Sequence, residues 1–231
     1  MSTILTLQPD ASAGIDTYVA ENVPDGNYGG LASLAVGAFM GIRTFSLVRF
    51  DLSSIPQGST INSAILYLYG SGNGNNTHFY INRILPANSA WTEGGATWNY
   101  AVASTTRWAG DADNNGGTDA GCSVAGTDYA STLLGTMAYK RTLGTENFSA
   151  LSVVEFALML AANHGILIRD QGGGFGSKQP LSSDYLTVPA YRPKLLVNYN
   201  APVVIVPDVF TPVGVTAPQF VASEQNYPFT C

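Results

Sequence analysis

The sequence predicts an all-β protein, an antiparallel jelly-roll β-sandwich with one short helix and an extended C-terminal arm. Short segments in which apolar and polar residues alternate recur along the chain, as in half-buried strands. Turns rich in Gly and Asn separate them, and only one stretch has the caps and apolar content of a helix. With 231 residues, 45% of them hydrophobic, the chain can bury a full core as one main domain. We expect that domain to cover residues 1–200.

The predicted strands and extended segments follow one another closely. They cover, in chain order, residues 3–8, 15–20, 31–36, 44–52, 61–69, 78–85, 165–169, 184–189 and 194–199. Segment 61–69 is partly apolar on both sides, which is typical of an inner strand. The Gly- and Asn-rich residues 70–76 then predict a hairpin that leads into segment 78–85.

One α-helix is predicted, over residues 149–162. Ser149 or Ser152 can serve as its N-cap. Glu155 stands three residues after Ser152, as in a capping box. Gly165 follows the end of the apolar stretch, where glycine is common after a helix.

The most distinctive stretch is residues 91–99, in which Trp91 and Trp98 flank a glycine pair. The glycines indicate a turn. Two roles are open for these tryptophans and for Trp108: they fill a corner of the core, since Trp is usually well buried, or they form a platform on which sugar rings stack. Arg49, on a strand face shared with an acidic residue, could form an ion pair or bond sugar hydroxyl groups.

An acidic loop suggests a cation site. Asp111, Asp113 and Asn115 stand at alternate positions before a glycine, as in the first half of an EF-hand loop. The second half is missing, because position twelve is Cys122 rather than Glu. The predicted ligands of a structural calcium ion are Asp111, Asp113, Asn115 and Asp119. A plain acidic turn is the alternative, and no other cofactor is indicated.

Several motifs occur in the order seen in DNRLRE domains. They are residues 16–19, 27–29, 47–56, 61–69, 91–93, 97–99, 163–168 and 192–195. The chain resembles that family over residues 6–199. The resemblance implies a jelly-roll sandwich similar to carbohydrate-binding modules, which commonly carry a structural calcium ion, and it implies no catalytic apparatus. Related domains tend to have the sequence Phe-x-Ser-Arg-Glu at one position. This chain has Phe-Gly-Ser-Lys-Gln there, at residues 175–179, and so lacks the acidic residue.

The chain is predicted not to be an enzyme. It contains no Gly-x-Ser-x-Gly elbow, no His-Glu-x-x-His and no phosphate-binding glycine loop. A carboxylate pair such as Glu93 with Asp111 would have to be tested by its separation in space. The net charge of −6, with ten scattered basic residues, argues against nucleic acid as a partner. No stretch of ~18 apolar residues predicts membrane insertion.

Residues 201–231 lie beyond the resemblance and contain five prolines and an apolar run. They predict an extended arm that contacts a neighbouring subunit, and the alternative is a last strand folded back on its own domain. The candidate contact residues are Val203, Ile205, Phe210, Phe220 and Phe229. Cys122 and Cys231 are expected to be free thiols, with a disulfide between them as the alternative.

These features predict a non-catalytic structural protein of an extracellular assembly, namely a phage virion component such as a capsid decoration, head fibre or tail protein. The low charge, the arm and an N-terminus without the features of a secretory signal favour that function. Such a protein would be made in the host cytoplasm and would join other virion subunits as a homo-oligomer. The alternative is a carbohydrate-binding module that recognises a polysaccharide, such as one on a cell surface.

Overall fold

The computed structural model of the protein describes residues 1–39, 42–171 and 176–203. These residues form thirteen β-strands and one α-helix. In chain order they are β1 (Ser2–Leu7), β2 (Ile15–Ala20), β3 (Gly37–Phe39), β4 (Ile42–Arg49), β5 (Thr60–Gly74), β6 (Thr77–Arg83), β7 (Tyr100–Val102), β8 (Thr106–Arg107), β9 (Gly135–Tyr139), β10 (Glu146–Ala150), α1 (Val153–Ala161), β11 (Ile166–Asp170), β12 (Lys178–Pro180) and β13 (Lys194–Asn200).

Two sheets form the body of the protein. The first sheet has the strand order β1-β13-β5-β10, with β12 also paired to β5. The second sheet has the order β2-β4-β11-β6-β9, with β3 also paired to β4, and β7 and β8 form a small separate ribbon. All of these strand pairs are antiparallel. The predicted antiparallel β-sandwich with one short helix is confirmed.

The main core lies between the two sheets. Leu66 and Leu68 of β5 and Val197 of β13 are fully buried there, and they belong to the same cluster as Phe79 and Ile81 of β6. The alternation along β5 places every second side chain in this core and the others on the outer face of the first sheet. Burying each such apolar side chain stabilises the fold by ~1.5–3 kcal/mol.

A second core covers the outer face of the second sheet. The segment between β6 and β9 contributes Trp91, Trp98 and Trp108, which belong to one buried cluster with Leu47 of β4 and Leu167 of β11. Among the described residues, no comparable cluster covers the outer face of the first sheet. Within the described ranges the two outer faces of the sandwich therefore differ: the face of the second sheet is covered by a buried cluster, and the face of the first sheet, called the open face below, is not.

Helix α1 begins later than the predicted helix. Its N-cap is Ser152, whose hydroxyl accepts a hydrogen bond from the Glu155 backbone N–H at 3.3 Å, whereas Ser149 lies in β10. No capping box forms, because the Ser152 N–H donates to the Leu134 carbonyl and the Glu155 carboxylate accepts from Arg83 Nε at 2.7 Å. Within the part of the chain that the structure describes, no helix is long and apolar enough to cross a membrane.

The predicted hairpin after segment 61–69 is wrong. Strand β5 continues to Gly74, and the chain then crosses to the second sheet, where β6 pairs with β9 and β11. Gly- and Asn-rich residues permit a sharp reversal but do not specify which strand pairs with which. Segment 31–36 also differs from the prediction, because it makes only isolated bridges, at Ser33 and Val36, instead of a continuous strand. Residues 184–189 form no strand.

Candidate functional site

The three tryptophans are core residues. Trp91, Trp98 and Trp108 are at most 1% exposed. The Trp91 Nε1–H donates to the His164 carbonyl at 2.7 Å, and the Trp108 Nε1–H donates to the Thr97 carbonyl at 2.9 Å. A ring enclosed on both faces has no surface to offer a sugar. The predicted stacking platform is therefore wrong for these three residues, and they fill the corner of the core instead.

Arg49 packs on one of these tryptophans. Its guanidinium carbon lies 4.8 Å from the centre of the Trp91 ring, and Nη2 donates to the Trp91 carbonyl at 3.4 Å. Burial lowers the pKa of Arg49 from its ordinary value. Arg49 also lines a shallow cavity with Phe50, Asp51 and Asn163. It therefore lies at an accessible rim, and its sugar-binding role stays a prediction.

The acidic loop brings its three carboxylates together. One ligand oxygen each of Asp111, Asp113 and Asp119 lies within 4.8 Å of the others. However, Asp111 Oδ2 accepts from Arg107 Nη1 at 2.9 Å, and Asp111 Oδ1 accepts from the Asn115 N–H at 3.1 Å. Asn115 Nδ2 donates to the Asp113 carboxylate, and Asn115 Oδ1 accepts from the Gly117 N–H at 2.6 Å. These contacts support the acidic-turn alternative, and calcium binding in this loop stays a prediction.

Most of the predicted arm lies outside the described residues. Ile205, Phe210, Phe220 and Phe229 belong to that part, and so does Cys231. Val203 is described and is 88% exposed. Cys122 is a buried free cysteine whose pKa is raised well above its ordinary value by burial.

The open face of the first sheet carries a group of aromatic side chains that was not predicted from the sequence. We call it the aromatic strip, and its members are Tyr67, Tyr69, Phe148 and Tyr191. Tyr67 and Tyr69 are two residues apart on β5 and so share one face. Phe148 of β10 pairs with Tyr67, and Tyr191 lies in the short turn before β13. Lys194 of β13 pairs with Tyr67 from the opposite side.

The members of the aromatic strip contact one another. The ring centres of Tyr67 and Phe148 are 6.3 Å apart, and those of Tyr69 and Tyr191 are 5.5 Å apart. Lys194 Nζ lies 4.2 Å from the centre of the Tyr67 ring, within the range of a cation–π contact. Phe148 is 63% exposed, whereas Tyr69 is only 6% exposed, so the strip offers a ligand the ring of Phe148 and almost none of the ring of Tyr69.

Polar groups at the strip are held in fixed positions. The Tyr69 hydroxyl donates to Glu146 Oε2 at 2.7 Å, and Lys194 Nζ donates to the Tyr69 hydroxyl at 3.0 Å. The Tyr69 hydrogen bond lowers the pKa of Glu146. Burial lowers the pKa of Lys194, but its contacts with Tyr69 and Glu146 outweigh that effect and raise the pKa overall. Both side chains are therefore charged at neutral pH.

The sequence gives little indication that Phe148 lies on the solvent-facing side of a strand. Glu146, Phe148 and Ala150 alternate as exposed residues with the buried Asn147 and Ser149. In the sequence, however, the buried Asn147 and Ser149 are polar and the exposed Phe148 is apolar, which is the reverse of the alternation that predicts a half-buried strand. Because Ser149 was equally suitable as a helix cap, the prediction began the helix there and overlooked the strand that carries Phe148.

The model of carbohydrate-binding module family 96 matches residues 8–117. The chain resembles a carbohydrate-binding module. The match supports a module-like domain without specifically indicating the DNRLRE family, and no curated protein matches the chain. A carbohydrate-binding module is non-catalytic, in agreement with the prediction that the chain is not an enzyme. The matched residues of the chain include Tyr67 and Tyr69, whereas Phe148 and Tyr191 lie outside the match.

Proposed function

We propose that this chain is a non-catalytic carbohydrate-binding module that holds a polysaccharide on the open face of its first sheet. The observation that carries the proposal is the aromatic strip, with Phe148 63% exposed beside Tyr67. The family match supports carbohydrate as the class of ligand. The bound polymer would be recognised and not cleaved.

The chemistry of the strip suits a sugar. A pyranose ring has apolar C–H faces, which pack on aromatic rings, and a rim of hydroxyl groups, which need hydrogen-bond partners. Glu146 offers acceptor oxygens and Lys194 offers donor hydrogens next to the rings. Since these groups are already held by Tyr69, little side-chain ordering remains to oppose binding.

The alternative face of the sandwich is less suitable. The segment that contains the three tryptophans covers the second sheet and removes its apolar side chains from solvent. The virion role, the homo-oligomer and the partner subunits predicted from the arm stay predictions, since the family match points to carbohydrate instead. A location in an extracellular assembly likewise stays a prediction.

Affinity electrophoresis through gels that contain soluble neutral or acidic polysaccharides tests the function. We expect at least one polymer to retard the full-length protein. Phe148→Ala should weaken that binding about tenfold, or ~1.4 kcal/mol, because one exposed ring is removed from the contact. Tyr67→Ala should weaken it as well.

The matched control is Val154→Ala on helix α1, because Val154 is 67% exposed and thus as accessible as Phe148. This variant should migrate as the unmodified protein does. If no polymer in a broad panel retards the folded protein, the proposed function is wrong. If Phe148→Ala and Tyr67→Ala bind as tightly as the unmodified protein, the module binds elsewhere and the open face is not the site.

A further inference from the structure

A second group of carboxylates joins three segments that are far apart in the chain. Asp16 lies on β2, Glu93 lies in the tryptophan-containing segment, and Asp184 lies between β12 and β13. One carboxylate oxygen of each residue lies within 4.8 Å of the other two. We call these residues the buried acidic cluster. The strip and this cluster have no residue in common.

Two oxygens of the cluster lack hydrogen-bond partners although they are buried. Asp16 is 2% exposed; its Oδ2 accepts from the Ser183 N–H at 2.9 Å, but its Oδ1 accepts no hydrogen bond. Asp184 Oδ2 is buried and unpartnered as well. Buried polar atoms in folded proteins nearly always have a partner, and an exception often marks an ion or water that completes the site.

In the described part of the chain, no cationic side chain is in direct contact with the carboxylates of the cluster, and Arg192 acts on Asp184 without forming an ion pair. Three carboxylates with oxygens within 4.8 Å of one another repel one another when ionised, and the burial of Asp16 limits the screening of that repulsion by water. A bound cation would remove this conflict, because it stabilises all three ionised carboxylates at once.

The acidic loop at Asp111 provides an internal contrast. There both Asp111 oxygens accept hydrogen bonds, and one of them comes from a cation, Arg107. In the buried acidic cluster, none of the described cationic side chains forms an ion pair with a carboxylate, and two oxygens have no hydrogen-bond partner. Both clusters contain three carboxylates that lie close together, so proximity does not distinguish them. The hydrogen bonds to the carboxylate oxygens do distinguish them.

The backbone around the cluster is closely packed. A Cβ atom at Gly29 would lie 2.5 Å from Glu93 Cγ, and one at Gly14 would lie 2.1 Å from the Ser183 hydroxyl. The Asn27 amide donates to the Glu93 carbonyl at 2.7 Å, and Glu93 Oε1 accepts from the Asp16 N–H at 3.2 Å. The ligand atoms are therefore positioned by the surrounding fold and do not depend on mobile side chains.

We propose that Asp16, Glu93 and Asp184 bind a calcium ion. Calcium takes six to eight oxygen ligands at about 2.3–2.6 Å, so two of its ligands lie up to about 5 Å apart, in accord with the spacing in the cluster. The three carboxylates supply part of this set, and water can supply the rest. The ion would fasten β2, the segment that covers the second sheet and the chain before β13 to one another.

The test uses the full-length protein after treatment with chelator, with calcium chloride as the only added ligand. We expect heat of binding in calorimetric titration and a rise of about 5 °C or more in Tm at saturating calcium. Asp16→Asn should abolish both effects. Its Tm without calcium should equal or exceed that of the unmodified protein at neutral pH, because an uncompensated buried charge is gone. If Asp16 had only a structural hydrogen-bonding role, Asp16→Asn would instead lower the Tm measured without calcium.

Glu93→Gln serves as a second variant, because Glu93 is only partly buried and its replacement leaves Asp16 in place. It should weaken calcium binding at least tenfold. Asp113→Asn is the matched control in the acidic loop and should keep the full calcium effect. The proposal is overturned if calcium at millimolar concentration changes neither heat nor Tm. It is also overturned if Asp16→Asn and Glu93→Gln keep the effect, or if Asp113→Asn alone removes it.

Discussion

Trp91 belongs to the buried cluster that covers the outer face of the second sheet. Tryptophan is common both in protein cores and in sugar-binding sites. Trp91 is inaccessible to solvent, and it packs in one cluster with Leu47 and Leu167, which are distant in the chain. Whether Trp91 is buried or exposed depends on contacts between segments that are distant in the chain. The sequence alone therefore could not show whether this ring fills the core or binds a ligand.

We predict that Trp91→Phe lowers the free energy of unfolding by about 1–3 kcal/mol. The smaller ring leaves a cavity, and the His164 carbonyl loses the hydrogen bond that Trp91 Nε1 donates at 2.7 Å. Urea denaturation measures the loss. Polysaccharide binding by the folded variant should be unchanged, in contrast to Phe148→Ala. Normal stability combined with lost binding would show that Trp91 contacts the ligand after all.

Helix α1 and strand β10 show where local sequence signals compete. The sequence predicted the end of the helix well, but it left Ser149 and Ser152 as alternative caps. The structure selects Ser152, because Phe148 and Ser149 pair with Tyr67 and Leu66 of β5. Pairing with a strand some eighty residues earlier outweighs local helix preference.

We predict that Ser152→Ala destabilises the protein by about 1 kcal/mol, because the Glu155 N–H loses its acceptor at the helix N-terminus. Thermal unfolding followed by circular dichroism measures the change. Ser152→Asp should keep most of the stability, since a carboxylate also accepts this bond and favours the N-terminal end of the helix dipole. Equal stability of Ser152→Ala and the unmodified protein would contradict the capping role.

At the scale of the whole molecule, the sequence predicted the fold class but not all of the strand partners. The alternation of apolar and polar residues predicted β2 with the bounds that the structure shows. It also predicted that β5 is an inner strand of its sheet. It could not show that β5 and β6 belong to different sheets, because alternation reports which side chains are buried and not which strand lies alongside. The buried acidic cluster was missed for a similar reason: residues 16, 93 and 184 meet only after both sheets form.

We predict that a chain truncated after Val203 folds. Among the described residues, the main core includes no side chain beyond Tyr199, so removal of residues 204–231 should change Tm by only a few degrees. If the arm joins subunits, light scattering after gel filtration should show a larger species for the full chain than for the truncated one. If the truncated chain is unfolded and the full chain is a monomer, the arm instead packs on the core of its own domain.

The contrast between the two outer faces determines how a ligand can approach. The aromatic strip lies on a sheet surface, and it is not at the bottom of a pit. The described pockets include none lined by Tyr67, Phe148 or Tyr191, so nothing in the described residues requires the terminus of a polymer to enter first. On the proposed function, the module would grip internal stretches of a long chain as readily as its ends, and each added sugar unit would strengthen attachment until the strip is full.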